Sequence, residues 1–341
     1  MPSLRDLGEI EVIRRLIAAR SSGEGVVVGP GDDAAVLAPA AGRDLIATAD
    51  AFVEGRHFLP AWGTSREHGA RLAAANLSDL AAMAARPRWA LLSMGLRPDH
   101  DVDELLEFQA GAAEAMRENG GSLVGGNLTA VEGPEWFDLT LLGDTPRGRA
   151  WTRAGARPGD RIAVTGHPGR AGAGLRLALA MGDRALAPEW GPLIQAWLRP
   201  AGRVALALAL AEAGGVRAAI DISDGLAGDL ARLCEASGVG ADLQEAAAPD
   251  DPLLERAAEA LGETAEAMRL GPSDDYELIL AVTPEGSEAI ATAAAARGVP
   301  FTWVGRVTER AGEVRIGAAG RVVAARGFDH FGREGRRGGN S

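Results

Sequence analysis

The pattern of apolar and polar positions switches along the chain between helical spacing and short apolar runs. Ile10, Ile13 and Leu16 recur at helical intervals, which predicts an amphipathic helix near the start. Apolar spacing and capping residues predict a further helix from Ser65 to about Ala75 and a second short helix that stops before Pro87. A helix is also predicted from Asp101 to Gly120, and another ends at Met181 after a glycine-rich stretch. The last predicted helices are at 201–213, 224–236 and 284–297. Strands are predicted at 26–28, 45–48, 122–124, 136–142, 161–165, 218–222, 277–282 and 301–307.

Turn-forming residues cluster between positions 145 and 160, in Thr145-Pro-Arg-Gly and in Arg157-Pro-Gly-Asp, and they predict a domain boundary. Helices and strands alternate on both sides of it, so we expect two α/β (α+β) domains, 1–148 and 149–332. The glycine- and arginine-rich end, 333–341, is predicted to be disordered. A chain of 341 residues is long enough for two such domains.

The composition is that of an ordinary globular protein, with 24% charged and 47% hydrophobic residues. No apolar run approaches the roughly 18 residues of a membrane span, and the stretch from Met1 to Arg20 carries both charge signs. The single cysteine, Cys234, excludes an intramolecular disulfide and a cysteine-cluster metal site. We therefore expect a cytoplasmic protein that does not associate with a membrane.

All 35 basic residues are arginine. The absence of lysine excludes Schiff-base catalysis, pyridoxal phosphate attachment and the lysine-bearing phosphate loop. A net charge of −12 argues against a nucleic-acid partner, because non-specific binding depends on a basic surface. The glycine-rich stretch 166–174 resembles a phosphate-cradling loop, but it does not match the dinucleotide fingerprint; a plain strand-to-helix turn and a functional contact stay equally open.

Aspartates recur beside the predicted strands. Asp33 follows a Gly-Pro-Gly-Asp turn, Asp50 ends a strand and Asp79 lies between two predicted helices. Asp221 and Asp224 lie at a strand-to-helix junction. Each aspartate alone is more often a turn or cap residue, but clustered carboxylates repel one another unless cations neutralise them. Mg²⁺ prefers oxygen ligands and bridges carboxylates to phosphates, so the set indicates metal-assisted phosphoryl transfer.

Five segments occur in a characteristic order. They are Gly31-Asp-Asp33, Thr48-Ala-Asp-Ala-Phe-Val-Glu-Gly-Arg-His-Phe58, Asn76-Leu-Ser-Asp-Leu-Ala-Ala-Met83, Asp221-Ile-Ser-Asp-Gly225 and Asp275-Tyr-Glu-Leu278. Together they strongly resemble the thiamine-monophosphate kinase family, within the superfamily that includes aminoimidazole ribonucleotide synthetase. The resemblance covers residues 8 to 332 and ends in Gly327-Phe-Asp-His-Phe331.

The resemblance implies a two-domain aminoimidazole ribonucleotide synthetase-like fold and a homodimer that pairs through its N-terminal sheets. It also implies transfer of the γ-phosphoryl group of ATP to thiamine monophosphate, with Mg²⁺, giving thiamine diphosphate. No covalent nucleophile is needed, because the attacking atom is the substrate's own phosphate oxygen.

The resemblance also implies roles for individual residues. Mg²⁺ binding is assigned to Asp33, Thr48, Asp50, Asp79, Asn127, Asp221 and Asp224. ATP contacts are assigned to Gly126, Asn127, Arg153 and Ser223, and thiamine-substrate contacts to His57, Asp274 and Phe328. An aromatic ring such as that of Phe328 can stack on the cationic thiazolium.

One position departs from the family pattern. The Gly-Gly-Asp motif of the family is Gly125-Gly126-Asn127 here. An amide oxygen ligates Mg²⁺ without the charge of a carboxylate, so we expect a weaker metal site. Two alternatives stay open: a paralogue with another ATP-dependent substrate, and a non-catalytic protein that binds thiamine phosphates or nucleotide. The absence of lysine and of an N-terminal cysteine favours the kinase over other members of the superfamily.

Overall fold

In the computed structural model of the chain, the described residues are 2–18, 23–30, 34–244 and 251–323. The helices are α1 (Leu4–Leu7), α2 (Glu9–Ala18), α3 (Ser65–Ala82), α4 (Val102–Glu118), α5 (Arg170–Met181), α6 (Gly191–Leu198), α7 (Val204–Ala213), α8 (Leu226–Ser237), α9 (Pro252–Leu261), α10 (Ala265–Leu270) and α11 (Ser287–Ala296), with a 3-10 turn at Gly182–Leu186. The strands are β1 (Val26–Val28), β2 (Val36–Leu37), β3 (Arg43–Val53), β4 (Arg86–Leu96), β5 (Ser122–Ala130), β6 (Trp136–Pro146), β7 (Arg161–Thr165), β8 (Val216–Asp221), β9 (Gly240–Leu243), β10 (Leu278–Val282), β11 (Phe301–Thr308), β12 (Val314–Ile316) and β13 (Arg321–Val322).

The chain forms two compact α/β units. Unit 1 comprises the described residues up to Trp151 together with Leu198–Glu212, and unit 2 comprises Thr152–Trp197 together with the described residues from Ala213 onward. The segment that returns to unit 1 includes Gly202, which packs so closely on Leu77 of α3 that a Cβ atom there would lie 2.9 Å from the Leu77 Cβ. The two-domain α/β prediction is confirmed.

Unit 1 is built on a four-stranded sheet in the order β3-β6-β4-β5. Strand β6 pairs antiparallel with both β3 and β4, whereas β4 and β5 run parallel. Strands β3 and β5 are therefore the two edges of this sheet. Strands β1 and β2 form a separate two-stranded ribbon.

Helices α3 and α4 pack on each other, and α3 covers one face of the sheet. Helix α3 begins with a capping box in which Thr64 accepts from the Glu67 N–H, and α4 directly follows Asp101, whose carboxylate caps the first turn. The two helices cross at Gly69 and Gly111. A Cβ on either glycine would lie 1.9 Å from a carbonyl oxygen of the other helix, so the close crossing requires glycine at both positions.

The opposite face of the sheet is partly exposed. Along β3 the side chains alternate, because successive residues of a strand point to opposite faces. Thr48 and Asp50 lie in register with Leu141 and Leu139, which are buried beneath the helices. Leu45, Ala47, Ala49 and Ala51 occupy the other face and are exposed. We call this second surface, which also includes Leu91 of β4, the open face.

Three sequence predictions fail in unit 1. Asp50 lies inside β3, which continues to Val53, rather than at the end of a strand. A helix to about Ala75 and a second helix before Pro87 are in fact the single helix α3, so Asp79 lies in the last turn of one helix rather than between two. The central strand β4 was not predicted. Its buried positions occur consecutively as well as alternately, and Pro87 near its start is unfavourable in a central strand.

Unit 2 contains a seven-stranded sheet in the order β13-β12-β9-β11-β7-β10-β8. Neighbouring strands are antiparallel except for β12 with β9. A core of buried aliphatic side chains lies between this sheet and α8, whose Leu226, Leu230 and Leu233 are fully buried. The predicted strand 161–165 is confirmed. In the described part of the chain, no helix combines the length and apolar character needed to cross a membrane.

Candidate active site

The edge strand β3 and helix α3 bring three of the predicted metal ligands together in unit 1. The hydroxyl of Thr48 donates a hydrogen bond to the carboxylate of Asp79. Asp50 lies two residues further along β3 on the same face of the strand, and its carboxyl group interacts electrostatically with that of Asp79. The cluster thus offers one hydroxyl and two carboxylates, all of them oxygen donors.

The electrostatics of this cluster are unfavourable without a counter-ion. Burial, then the charges of Asp79 and Asp138, raise the pKa of Asp50 from 3.8 to about 7. Within the described residues, no three His, Cys, Asp or Glu side chains are grouped so as to form a metal site by themselves. A hard cation nevertheless fits the cluster, because it would relieve the repulsion between Asp50 and Asp79 and would accept oxygen ligands.

Gly126 and Asn127 lie on β5, at the other edge of the same sheet. Gly126 is in register with Leu92, Leu92 with Leu139, and Leu139 with Asp50. Three strand spacings therefore separate Asn127 from the Thr48–Asp50 edge, about 14 Å along the sheet. The structure does not bring Asn127 together with Asp50 and Asp79 inside unit 1.

The backbone at Gly126 requires glycine for two reasons. Its φ is +152°, and a Cβ atom there would lie 1.8 Å from the carbonyl oxygen of Leu92. Both Gly126 and Asn127 are exposed, so this irregular edge presents backbone groups and the amide side chain to the solvent. Such an edge suits close approach of a ligand to the backbone.

His57 is held in a defined orientation by the turn that follows β3. Its Nδ1 accepts a hydrogen bond from the Val53 N–H at 3.0 Å, which assigns the proton of the neutral ring to Nε2. Its carbonyl oxygen accepts from Arg71 at 2.8 Å, and its ring stacks on Phe52. The predicted substrate residue thus has a fixed backbone and a donor nitrogen.

A partly buried network supports the same turn, and the sequence motifs did not assign it a role. The carboxylate of Glu54 accepts from the Glu135 N–H at 3.0 Å and from Arg97 at 2.5 Å. The carboxylate of Glu135 accepts from the Arg97 N–H, and it also contacts His100 Nδ1. The signal in the sequence was the position of Glu54 inside the Val53–Phe58 segment that resembles the family, and this position did not identify the partners of Glu54.

In unit 2, the remaining candidates meet where β8 ends and β10 begins. Asp221 is the last residue of β8 and lies in register with Leu278, the first residue of β10. The loop that follows, Ser223–Gly225, leads into α8. Ile222 donates its N–H to the carbonyl of Glu277 at 2.7 Å and accepts from the Tyr276 N–H at 2.8 Å. These backbone bonds place the half-buried Asp274 in the segment directly beside the Asp221–Gly225 motif.

Two residues that the sequence motifs missed hold this loop. The carboxylate of Asp229 accepts from the backbone N–H groups of Ser223, Asp224 and Gly225. Arg232 contacts the carboxylates of both Asp224 and Asp229. Burial raises the pKa of Asp229, while the Asp224 N–H and Arg232 act in the opposite direction. The signal in the sequence was their helical spacing after the motif, which by itself does not indicate a contact.

The glycine-rich stretch 166–174 contains the N-terminus of α5, and side chains of the protein accept hydrogen bonds from the N–H groups there. The Asp275 carboxylate accepts from the N–H groups of Gly169 and Ala171 at 2.7 and 3.0 Å, and Ser273 Oγ accepts from the Gly172 N–H. Burial raises the pKa of Asp275 to about 7 despite these bonds. This arrangement favours the strand-to-helix turn over a phosphate-binding role.

One further predicted site residue, Arg153, lies within the described residues. Arg153 is exposed in the segment beside the edge strand β8, where the preceding Thr152 accepts from the Ala219 N–H. Asp33, Phe328 and the predicted tail 333–341 lie outside the described residues.

Comparisons with known proteins agree on one family. The family model described as AIR synthase related protein, N-terminal domain, matches residues 31–144, and the corresponding C-terminal domain matches residues 157–317. The thiamine-monophosphate kinase of Escherichia coli (strain K12) is 37% identical over 327 residues, which is 95% of this chain and 98% of that protein. The chain belongs to the thiamine-monophosphate kinase family. The thiamine-monophosphate kinase of Rhodopirellula baltica is 34% identical over 314 residues, which is 89% of this chain and 92% of that protein.

Solved structures of the thiamine-monophosphate kinase family are similar over almost the whole chain. The enzyme from Stenotrophomonas maltophilia K279a has a TM-score of 0.80 at 33% identity and covers 92% of this chain, with 96% of that chain covered. AaThiL complexed with AMPPCP and TMP has a TM-score of 0.76 at 29% identity, with 97% and 99% of the two chains covered. The hydrogenase maturation protein HypE of Escherichia coli, 22% identical with a TM-score of 0.74, shares the fold.

Proposed function

We propose that this protein transfers the γ-phosphoryl group of ATP to thiamine monophosphate and produces thiamine diphosphate and ADP. A phosphate oxygen of thiamine monophosphate attacks the γ-phosphorus, and the bond from that phosphorus to the β–γ bridging oxygen breaks. Membership of the thiamine-monophosphate kinase family over 95% of the chain is the observation that carries the proposal. AaThiL, the relative complexed with AMPPCP and TMP, pairs an ATP analogue with this substrate.

We include Mg²⁺ in the proposal. Thr48, Asp50 and Asp79 would hold it in unit 1, and Asp221 and Asp224 in unit 2, with Asp33 and Asn127 as further ligands. The raised pKa of Asp50 supports this role, because a cation would hold that carboxyl group in its charged form. A bound divalent ion neutralises phosphate charge and stabilises the charge that develops on the transferred group.

The chain's own residues would orient the two reactants. Gly126 and Ser223 present backbone and hydroxyl groups to the nucleotide, and Arg153 supplies a cation for its phosphates. Asp274 would accept from the pyrimidine amino group of the substrate or pair with its thiazolium. The Nε2–H of His57 would donate to the substrate, because the Val53 N–H already occupies Nδ1. Phe328 would stack on the ring system.

We further propose that the protein is a homodimer paired through the open face. This face exposes Leu45 and Leu91 together with the alanines of β3, and exposed apolar patches of this kind mark interaction surfaces. The separation of Asn127 from the Thr48–Asp50 edge also favours pairing. A two-fold axis parallel to the strands, between two stacked sheets, would lay Asn127 of the partner subunit over strand β3. ATP is supplied in the cytoplasm, which favours that location.

The experiment is incubation of the purified protein with ATP, Mg²⁺ and thiamine monophosphate, followed by chromatography. We expect thiamine diphosphate and ADP in equal amounts, and no product when thiamine replaces thiamine monophosphate. Tight binding of both ligands by calorimetry without ADP formation would instead indicate a non-catalytic binding protein. Failure to bind thiamine monophosphate while ATP is bound would indicate a paralogue with another substrate.

A further inference from the structure

The loop between β8 and α8 is held from inside by a single buried carboxylate. One oxygen of Asp229, Oδ2, accepts from the N–H groups of Ser223, Asp224 and Gly225 at 3.1, 3.0 and 3.1 Å. The side chain of Asp229 is 1% exposed. Three consecutive N–H groups converge on one atom only in a narrow range of loop conformations, so this carboxylate fixes the path of the loop.

The geometry of the loop shows why the contact is needed. Gly225 has φ +117°, and a Cβ atom there would lie 2.2 Å from the carbonyl oxygen of Gly271. Gly225 is also the N-cap of α8 and provides no side chain to cap the helix. Asp229 therefore reaches back from the first turns of α8 to satisfy N–H groups that lie before the helix begins.

Arg232 completes the arrangement on the same helix. Its guanidinium lies 2.7 Å from Asp224 Oδ2 and also contacts Asp229 Oδ1. One arginine thus restrains the side chain of Asp224 and offsets the charge of two neighbouring carboxylates. Charge-assisted hydrogen bonds of this kind are stronger and geometrically more selective than neutral ones.

We propose that Asp229 is a positioning residue for phosphoryl transfer, which aims Ser223 and Asp224 toward the magnesium–nucleotide complex, with Arg232 restraining Asp224. This inference rests on the proposed function for the roles of Ser223 and Asp224. Asp229 does not itself contact a reactant, because its carboxylate is buried and its Oδ2 is occupied by the three N–H groups. Groups that orient metal and phosphate ligands act through such contacts.

The test uses the full-length protein with three variants. Asp229→Ala removes the acceptor, and Asp229→Asn keeps an acceptor oxygen without the charge. Asp251→Ala is the matched control, because Asp251 is 2% exposed, accepts from the N–H groups of Leu253 and Leu254 and pairs with Arg170 in the same unit. Each protein is measured for hydrogen exchange of its loop amides, for its KM values and for calorimetric binding of ATP with Mg²⁺.

We expect Asp229→Ala to speed exchange at the amides of 223–225 at least tenfold and to raise the KM for ATP at least tenfold. The KM for thiamine monophosphate should change less than threefold, because none of its predicted contacts, His57, Asp274 and Phe328, belongs to the loop 223–225. For Asp229→Asn, both the exchange rate at 223–225 and the KM for ATP should be intermediate between those of Asp229→Ala and of the unmodified protein. Asp251→Ala should lower the melting temperature and leave both KM values unchanged.

Two results would overturn the inference. One is an unchanged rate of hydrogen exchange at the amides of 223–225 in Asp229→Ala. The other is a rise of both KM values that is as large in Asp251→Ala as in Asp229→Ala. If Asp229→Ala does not fold, Asp229→Asn decides by the same measurements. If the unmodified protein forms no thiamine diphosphate, the proposed function fails, and the inference is then judged by exchange and by calorimetry. At least tenfold weaker binding of ATP with Mg²⁺ by Asp229→Ala would support it, and unchanged binding would overturn it.

Discussion

The hydroxyl of Thr48 donates a hydrogen bond to the carboxylate of Asp79, and this contact joins edge strand β3 to the last turn of helix α3. The two residues are 31 positions apart in the sequence. The bond therefore depends on how α3 packs on the sheet. It places an oxygen donor from a strand and a carboxylate from a helix at one point of unit 1.

We predict that Thr48→Val lowers kcat/KM about 10- to 100-fold, the range typical for loss of a group that orients a metal ligand. Valine has the shape of threonine but cannot donate to Asp79, so the carboxylate loses its orientation. Initial rates at several Mg²⁺ concentrations measure the effect. Thr48→Ser keeps the hydroxyl and should retain most of the activity; equal losses in both variants would contradict the role of the hydrogen bond.

The second prediction concerns the free energy of unfolding and its dependence on pH. The pKa of Asp50 is raised from 3.8 to about 7 by burial and by Asp79 and Asp138, so the folded state binds more protons than the unfolded state between these values. This residue therefore destabilises the fold increasingly as pH rises from about 4 to about 7, and no further above that. At about 1.4 kcal/mol per pKa unit, the full effect is at most about 4 kcal/mol.

Asp50→Asn should accordingly be more stable than the unmodified protein at pH 7.5 by a few kcal/mol, and the difference should shrink as the pH falls and disappear below about pH 4. Denaturant unfolding in EDTA at a series of pH values measures the difference. Asp99 is exposed, so Asp99→Asn is the control, and its free energy of unfolding should differ from that of the unmodified protein by the same amount at every pH. Addition of Mg²⁺ should stabilise the unmodified protein at pH 7.5 more than Asp50→Asn; equal stabilisation would contradict a cation at this cluster.

Much of the fold could be predicted from the sequence, and the failures have identifiable physical causes. Strand β7 and the start of α4 at Asp101 follow from local signals, a bounded apolar run and a capping carboxylate. The false break in α3 arose because Ser78 and Asp79 resemble a helix cap. In the folded unit Ser78 is buried and Asp79 accepts from Thr48, so tertiary contacts outweigh the capping preference.

The candidate site was predictable as a set of residues but not as an arrangement. The family resemblance predicted Asp50 and Asn127 as metal ligands, yet only the strand order shows that they lie on opposite edges of one sheet. Asp229 was not identified at all. Its function depends on the backbone path of 223–225, which brings three N–H groups to one oxygen, and no local residue pattern encodes that convergence.

The third prediction concerns the amide at position 127. Asn127→Asp restores the carboxylate of the family motif, and we expect the Mg²⁺ concentration at half-maximal activity to fall about tenfold because the ligand gains a full negative charge. A Mg²⁺ titration of the initial rate measures this. Thr129→Asp adds the same charge two residues away on β5 and should leave the requirement unchanged. An unchanged requirement in Asn127→Asp would contradict a metal-binding role for this residue.

The fourth prediction tests the open face as the dimer interface. Leu91 lies on β4 in register with Thr140 and Gly125, and its side chain is 37% exposed. Leu91→Arg would place an unpaired charge between the two stacked sheets, so we expect light scattering to show a monomer and the activity to fall at least tenfold. Leu179→Arg is the matched control, because Leu179 is an exposed leucine of α5 in unit 2. A dimer that persists in Leu91→Arg, or a monomer in both variants, would contradict pairing through the open face.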